Sequence, residues 1–194
     1  MSKSMSKKET HLKNIESCMQ SLCDMVGEDS NREGLIKTPQ RVATLHNFLY
    51  SGYEYNPNEI LSSTFNEGVC NEMIIIKDIE FYSMCEHHLL PFFGKISIGY
   101  IPDKQVVGIS NFAKLVEIFA RRLQIQENLT KQIADTIMES LRPKGAMVVC
   151  EALHLCMAMR GTEKQNAKIL TSAVRGLFQK DSRTRAEFMQ LIKT

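Results

Sequence analysis

The hydrophobic pattern of the chain changes character once, near Glu72. Before that point apolar residues recur at helical spacing. Leu12, Ile15, Met19, Leu22 and Val26 share one stripe, with Thr10 as a cap and Gly27 as a stop. A polar stretch from Glu28 to Lys37 leads to Thr38-Pro39, a cap followed by a first-turn proline. The helix it opens buries Val42, Leu45, Phe48 and Leu49 and stops at Ser51-Gly52. Residues 1–9 are therefore expected as a disordered tail, residues 10–60 as a helical arm and residues 61–194 as the main domain.

Beyond Glu72 the period shortens. Met73-Ile74-Ile75-Ile76 with Ile79 to Tyr82 predicts one strand, and Gly94 to Ile101 predicts another. Pro102-Asp103-Lys104 turns the chain into Val106-Val107-Gly108-Ile109. Ser110 then caps a helix that buries Leu115, Val116, Phe119 and Leu123. A second helix carries Leu129, Ile133, Ile137 and Leu141 at four-residue spacing and ends at Arg142-Pro143-Lys144-Gly145. A last strand starts at Ala146, and a short helix near Thr184 to Ile192 closes the chain. The order β-β-α-α-β predicts an α+β fold with mainly antiparallel pairing.

The last strand is the informative one. From Ala146 to Arg160 the even positions are small or chemically active, ending in His154, Cys156 and Arg160. The odd ones are largely bulky and apolar: Met147, Val149, Leu153, Leu155, Met157 and Met159. Period-two geometry gives one packing face and one working face.

Composition narrows the class. A 194-residue chain with 43% hydrophobic and 24% charged residues is an ordinary globular domain with room for a core. The net charge of +2 gives no reason to expect nucleic acid or an anionic membrane as partner. Six cysteines are too sparse for a disulfide scaffold. The N-terminus lacks the apolar core of a signal peptide, and no run is long enough to span a membrane. The expected location is the cytoplasm.

The chemistry concentrates at Cys85-Glu86-His87-His88 and, far downstream, His154-Leu155-Cys156. Cys85 and His88 have the C-x-x-H spacing by which one tight turn offers a sulfur and an imidazole to one ion. Cys156 can add a third ligand, and three ligands with an open fourth position make a catalytic rather than a structural zinc. His87 and His154 sit beside those ligands, where proton transfer is useful. The constellation predicts metal-assisted hydrolysis.

With those residues in view, the chain resembles GTP cyclohydrolase I. The matching stretches are Asn31 to Leu35 with Thr38 to Val42, Cys85 to Phe92, Val107 to Ser110, Arg122 to Glu127, and Glu151 to Met157 ending at Arg160-Gly161. The resemblance implies the tunnelling fold for residues 61–194. In that fold a mainly antiparallel sheet carries two helices on one face, and subunit sheets join into an oligomeric barrel, a decamer of two pentamers. It also implies the reaction: GTP and water give formate and 7,8-dihydroneopterin triphosphate, the first step of pterin- or folate-type cofactor synthesis. Position by position it gives Zn²⁺ to Cys85, His88 and Cys156, and acid–base work to His154 with His87 in support. It gives the guanine edge to Gln126 and Glu127, and the triphosphate to Ser110, Lys114, Arg160 and, across a subunit interface, Arg41. Asn111 departs from the pattern, standing where a lysine is usual, and Lys114 replaces a common arginine.

Overall fold

The computed structural model describes residues 7–193. The chain divides after Tyr50 into two compact units. The first holds α1 (Lys7–Met25) and α2 (Thr38–Leu49), which pack on each other. The expected tail falls outside the described residues as far as residue 6. From Lys7 the chain is already helical, so Thr10 lies inside α1 and is not its cap.

The second unit opens with a 3-10 turn at Ser51–Glu54, α3 (Pro57–Ile60) and β1 (Thr64–Phe65). Next come β2 (Ile74–Cys85), β3 (Pro91–Ile101), β4 (Val106–Val107), α4 (Ser110–Ala120), β5 (Leu123–Gln124) and α5 (Gln126–Leu141). β6 (Gly145–His154), α6 (Leu155–Ala158), β7 (Ile169–Gly176), α7 (Leu177–Lys180) and α8 (Ser182–Lys193) complete it. The main sheet has the order β5-β2-β3-β6-β7 and is antiparallel except where β5 runs parallel to β2; β1 and β4 form a separate pair. Residues 51–60 belong with this unit: Gly52 N–H donates to Arg121 C=O, and the Arg122 guanidinium donates back to Gly52 C=O at 2.8 Å.

The helical periodicities hold where they are strongest. Leu129, Ile133, Ile137 and Leu141 of α5 are all at most 2% exposed and meet Leu115, Val116 and Phe119 of α4 over the sheet. Each such side chain contributes about 1.5–3 kcal/mol by leaving water. Helix α5 stops where Arg142 takes a left-handed conformation at φ 47°, just before Pro143. Helix α4 starts by backbone bonding, Asn111 N–H to Gly108 C=O; Ser110 is its first residue and makes no side-chain cap.

Several expectations need correction. Leu123 is not on the buried side of α4. It lies in β5, paired with Met84. β2 is one strand, as expected, and carries a bulge between Ile76 and Ile79, where Asp78 has φ 57°. β6 ends at His154, and Cys156 lies in the helical turn after it, so period two no longer governs Cys156 or Arg160. The small-residue face of β6 is also not a working face: Ala146, Val148, Cys150 and Ala152 lie in the main core under α4 and α5. Small side chains are needed there because two helices press on the strand. The opposite face is packed as well, with Met147 and Val149 against Phe178 and Phe188 of α7 and α8. Nor is β6 the last strand, because β7 pairs along it from Ile169 to Gly176.

β3 and β6 approach closely at Gly94, paired with Ala152. A Cβ on Gly94 would stand 1.9 Å from the carbonyl oxygen of Glu151. No helix among the described residues is long and apolar enough to cross a membrane.

Candidate functional site

β2 ends at Cys85, and the next residues fold back at once. Leu89 N–H donates to Cys85 C=O at 2.9 Å, Cys85 N–H to Leu90 C=O at 2.9 Å, and Leu89 takes φ 52°. β5 braces the turn from the side, with Glu86 N–H donating to Gln124 C=O at 3.0 Å. This loop turns His88 toward Cys85. On the far side of β3, β6 runs the same way as β2 and delivers His154 opposite Phe92, and the helical turn after it returns Cys156 to the same spot.

The ligand atoms of Cys85, His88 and Cys156 all lie within 4.8 Å of one another. One tetrahedral ion with Zn–S near 2.3 Å and Zn–N near 2.0 Å needs ligand separations of roughly 3.5–4 Å, so the group is within reach of a single ion. The donor set, two sulfurs and one imidazole, suits zinc among the common divalent metals. Burial pushes the Cys156 thiol up, Cys85 beside it adds to the rise, and the Arg160 charge opposes it.

His154 is half-buried and fixed on two sides. Its ring stacks on the buried Phe92, with centroids 4.5 Å apart and planes 9° from parallel. Its Nε2 lies 2.7 Å from Oε1 of Gln126. Burial lowers its pKa from the ordinary histidine value, and the nearby Glu127 carboxylate works against that. His87 is exposed, with Nδ1 3.9 Å from Cys85 Sγ and Nε2 3.9 Å from Glu86 Oε1.

Gln126 and Glu127 open α5 but face different surroundings. Glu127 is exposed in the first turn, where the helix dipole favours an acid. Gln126 is 1% exposed. Its Nε2 donates to Cys150 C=O at 3.1 Å, Ile169 C=O at 3.0 Å and Thr171 Oγ1 at 3.1 Å. An amide has only two N–H groups, so its donors are spent on the protein and cannot meet a ligand as the chain stands.

The chain thus gathers Cys85, His87, His88, Gln126, Glu127, His154, Cys156 and Arg160 around one corner of the sheet. Ser110 and Lys114 are elsewhere. β3 runs away from the corner, and α4 returns toward it, ending next to β5. Ser110 stands at the N-terminal end of α4, about 16 Å along the helix axis from the end beside β5. Lys114 Nζ there donates to Asn111 Oδ1 at 3.4 Å. Arg41 is exposed on α2, in the first unit. Phe92, Thr130 and Thr171 carry parts of the site that residue chemistry alone did not single out. For Thr171 the readable signal was the β-branched run Ile169, Thr171, Val174 stopped by Gly176.

Comparison with known proteins agrees with the residue pattern. Residues 15–193 match the family model of GTP cyclohydrolase I. A GTP cyclohydrolase 1 of Wolinella succinogenes is 63% identical over 179 residues, covering 92% of this chain and 96% of that protein. Those of Helicobacter pylori and Helicobacter hepaticus are 59% and 58% identical over 180 residues, covering 93% of this chain and 100% and 87% of theirs. A solved structure of the archaeosine synthase QueF-Like in its apo form overlaps 54% of this chain at 19% identity. Its TM-score of 0.44 is too low to carry weight. On the family match and these identities, the chain belongs to the GTP cyclohydrolase I family of enzymes.

Proposed function

We propose that this chain is a zinc-dependent hydrolase that opens the imidazole ring of GTP. The products are formate and 7,8-dihydroneopterin triphosphate, and the step begins synthesis of pterin- or folate-type cofactors. The observation that carries the reading is the convergence of Cys85, His88 and Cys156 beside His154, from the ends of two strands that flank β3. A zinc ion held by those three residues would supply Lewis acidity and a nucleophilic water near neutral pH.

The chain's own residues divide the remaining work. His154, half-buried and held at a fixed angle, gives a proton to the purine nitrogen as the C–N bond breaks and takes one back as the pterin ring closes. His87, exposed beside Cys85, serves in relay. Glu127 accepts from N1–H and the 2-amino group of guanine, a pair of donors that adenine lacks at that edge. Arg160, placed to act electrostatically on Cys156, takes the triphosphate.

Ser110 stands a helix length, and Lys114 about 9 Å, from the end of α4 beside β5, and a second copy of the chain is the natural way to bring such a pair to the same triphosphate. Arg41 is assigned likewise to a neighbouring copy's site, with the helical arm as its carrier. The assembly is then the decamer of two pentamers, formed as subunit sheets join edge to edge in the tunnelling fold. β7, an eight-residue strand at one edge of the sheet, supports that reading.

The test is incubation of purified protein with GTP, reading formate release and pterin fluorescence, before and after zinc is removed by chelator and restored. Absence of both products with zinc-replete protein would refute the proposal.

A further inference from the structure

The buried Gln126 sits in a closed circuit of hydrogen bonds whose direction can be read. Thr130 Oγ1 donates to Gln126 C=O at 2.8 Å, which uses its single proton. The 2.7 Å contact between Thr130 Oγ1 and Thr171 Oγ1 must then be donated by Thr171. Thr171 has no proton left for Gln126, so it accepts from the Gln126 amide nitrogen. Cys150 C=O and Ile169 C=O, on β6 and β7, can only accept, and both face that same nitrogen. The NH₂ end of the amide is therefore fixed toward Thr171 and the two carbonyls, and the oxygen end is fixed toward His154.

That leaves one arrangement for the imidazole. Oε1 of Gln126 has no proton to give, so Nε2 of His154 must carry one. We propose that Gln126 is a positioning residue that locks His154 in the Nε2–H tautomer, so that Nδ1 is the nitrogen that exchanges a proton with the purine. The assignment rests on the proposed acid–base role of His154 and replaces the guanine contact that the family resemblance gives to Gln126. Phe92 sets the plane of the ring, and Gln126 sets which nitrogen is free. The anchor of the device is β7, which supplies both Ile169 C=O and Thr171.

Solid-state NMR of the full, zinc-loaded protein with ¹⁵N-labelled histidine tests the tautomer directly, using His154→Ala to identify the signals. At alkaline pH the expected result is a protonated Nε2 and a bare Nδ1. A protonated Nδ1, or an even mixture, overturns the proposal even if every variant misfolds. Gln126→Met keeps the side chain's length without its hydrogen bonds. It should mix the two tautomers and lower kcat by about 10- to 1,000-fold, with KM for GTP held within about threefold. A raised KM with kcat unchanged would make Gln126 a reader of the base. A kcat loss with the tautomer unchanged would also overturn the positioning role. A wild-type protein inert toward GTP would sink the proposed function, while the NMR result would still decide the tautomer.

Discussion

Around Cys85 and His88 the backbone is bonded on every side: to Leu90 across the turn, to Gln124 on β5, and within the turn to Leu89. At the start of α4, by contrast, Ser110 and Lys114 face solvent, and the Lys114 ammonium reaches Asn111, three residues back on the same helix. The first region is complete within one chain. The second turns its donors to solvent. On the proposed function, the difference separates the reaction from the affinity: proton and metal chemistry belong to the pre-bonded corner, and triphosphate capture to surfaces that another copy would complete.

The largest effect should come from breaking the complete region. Cys85→Ser and Cys156→Ser should each lose stoichiometric zinc, read by elemental analysis, and all measurable turnover together. Retention of one zinc per chain by either variant would remove that cysteine from the ligand set. His154→Ala comes next. It should keep zinc and lose about 10²- to 10⁴-fold in kcat, because it removes a proton carrier and not a ligand. Loss of zinc in that variant would mean that His154 and His88 have exchanged roles.

Whether copies share the triphosphate site is tested by mixing. Arg41→Ala and His154→Ala, each nearly inactive alone, should recover activity when co-assembled. In a random equal mixture about a quarter of the sites hold both native residues. No recovery in assemblies shown to be mixed would place Arg41 outside the neighbouring site. The smallest effect belongs to Asn111→Lys, which adds a cation beside Lys114. The difference between a charged and a neutral hydrogen bond, partly screened by solvent, is about 1 kcal/mol. KM for GTP should fall roughly fivefold and become more salt-dependent, with kcat within about twofold. A large rise in kcat with KM unchanged would mean that this position aligns the reacting ring.

The sequence was most readable where chemistry and short spacing coincide. Cys85 and His88 are three residues apart, and a turn alone brings them together. The α5 stripe is likewise local, since 3.6 residues per turn decides which side chains share a face. Reading failed where a strand had to stop. Nothing in the alternation of β6 says that Leu155 begins a helical turn, and the small residues before it, taken as a working face, are small because α4 and α5 lie on them. β7 is masked in the sequence because the polar stretch before it, Gly161 to Lys168, hides its start. With β7 went Thr171, and with Thr171 the reason a glutamine is buried at the head of α5.

Gly94 shows how far the site's tolerance for mutation extends beyond its own residues. It is a member of neither the ligand group nor α5, yet a single methyl there would collide with the Glu151 carbonyl and push β6 away from β3. Two residues along β3 is Phe92, and two along β6 is His154, the stacked pair that sets the ring plane. In a library of random substitutions, Gly94 should therefore behave like a site residue, with every replacement scored as inactive. The inheritance of a histidine's angle is written in the place where no side chain fits.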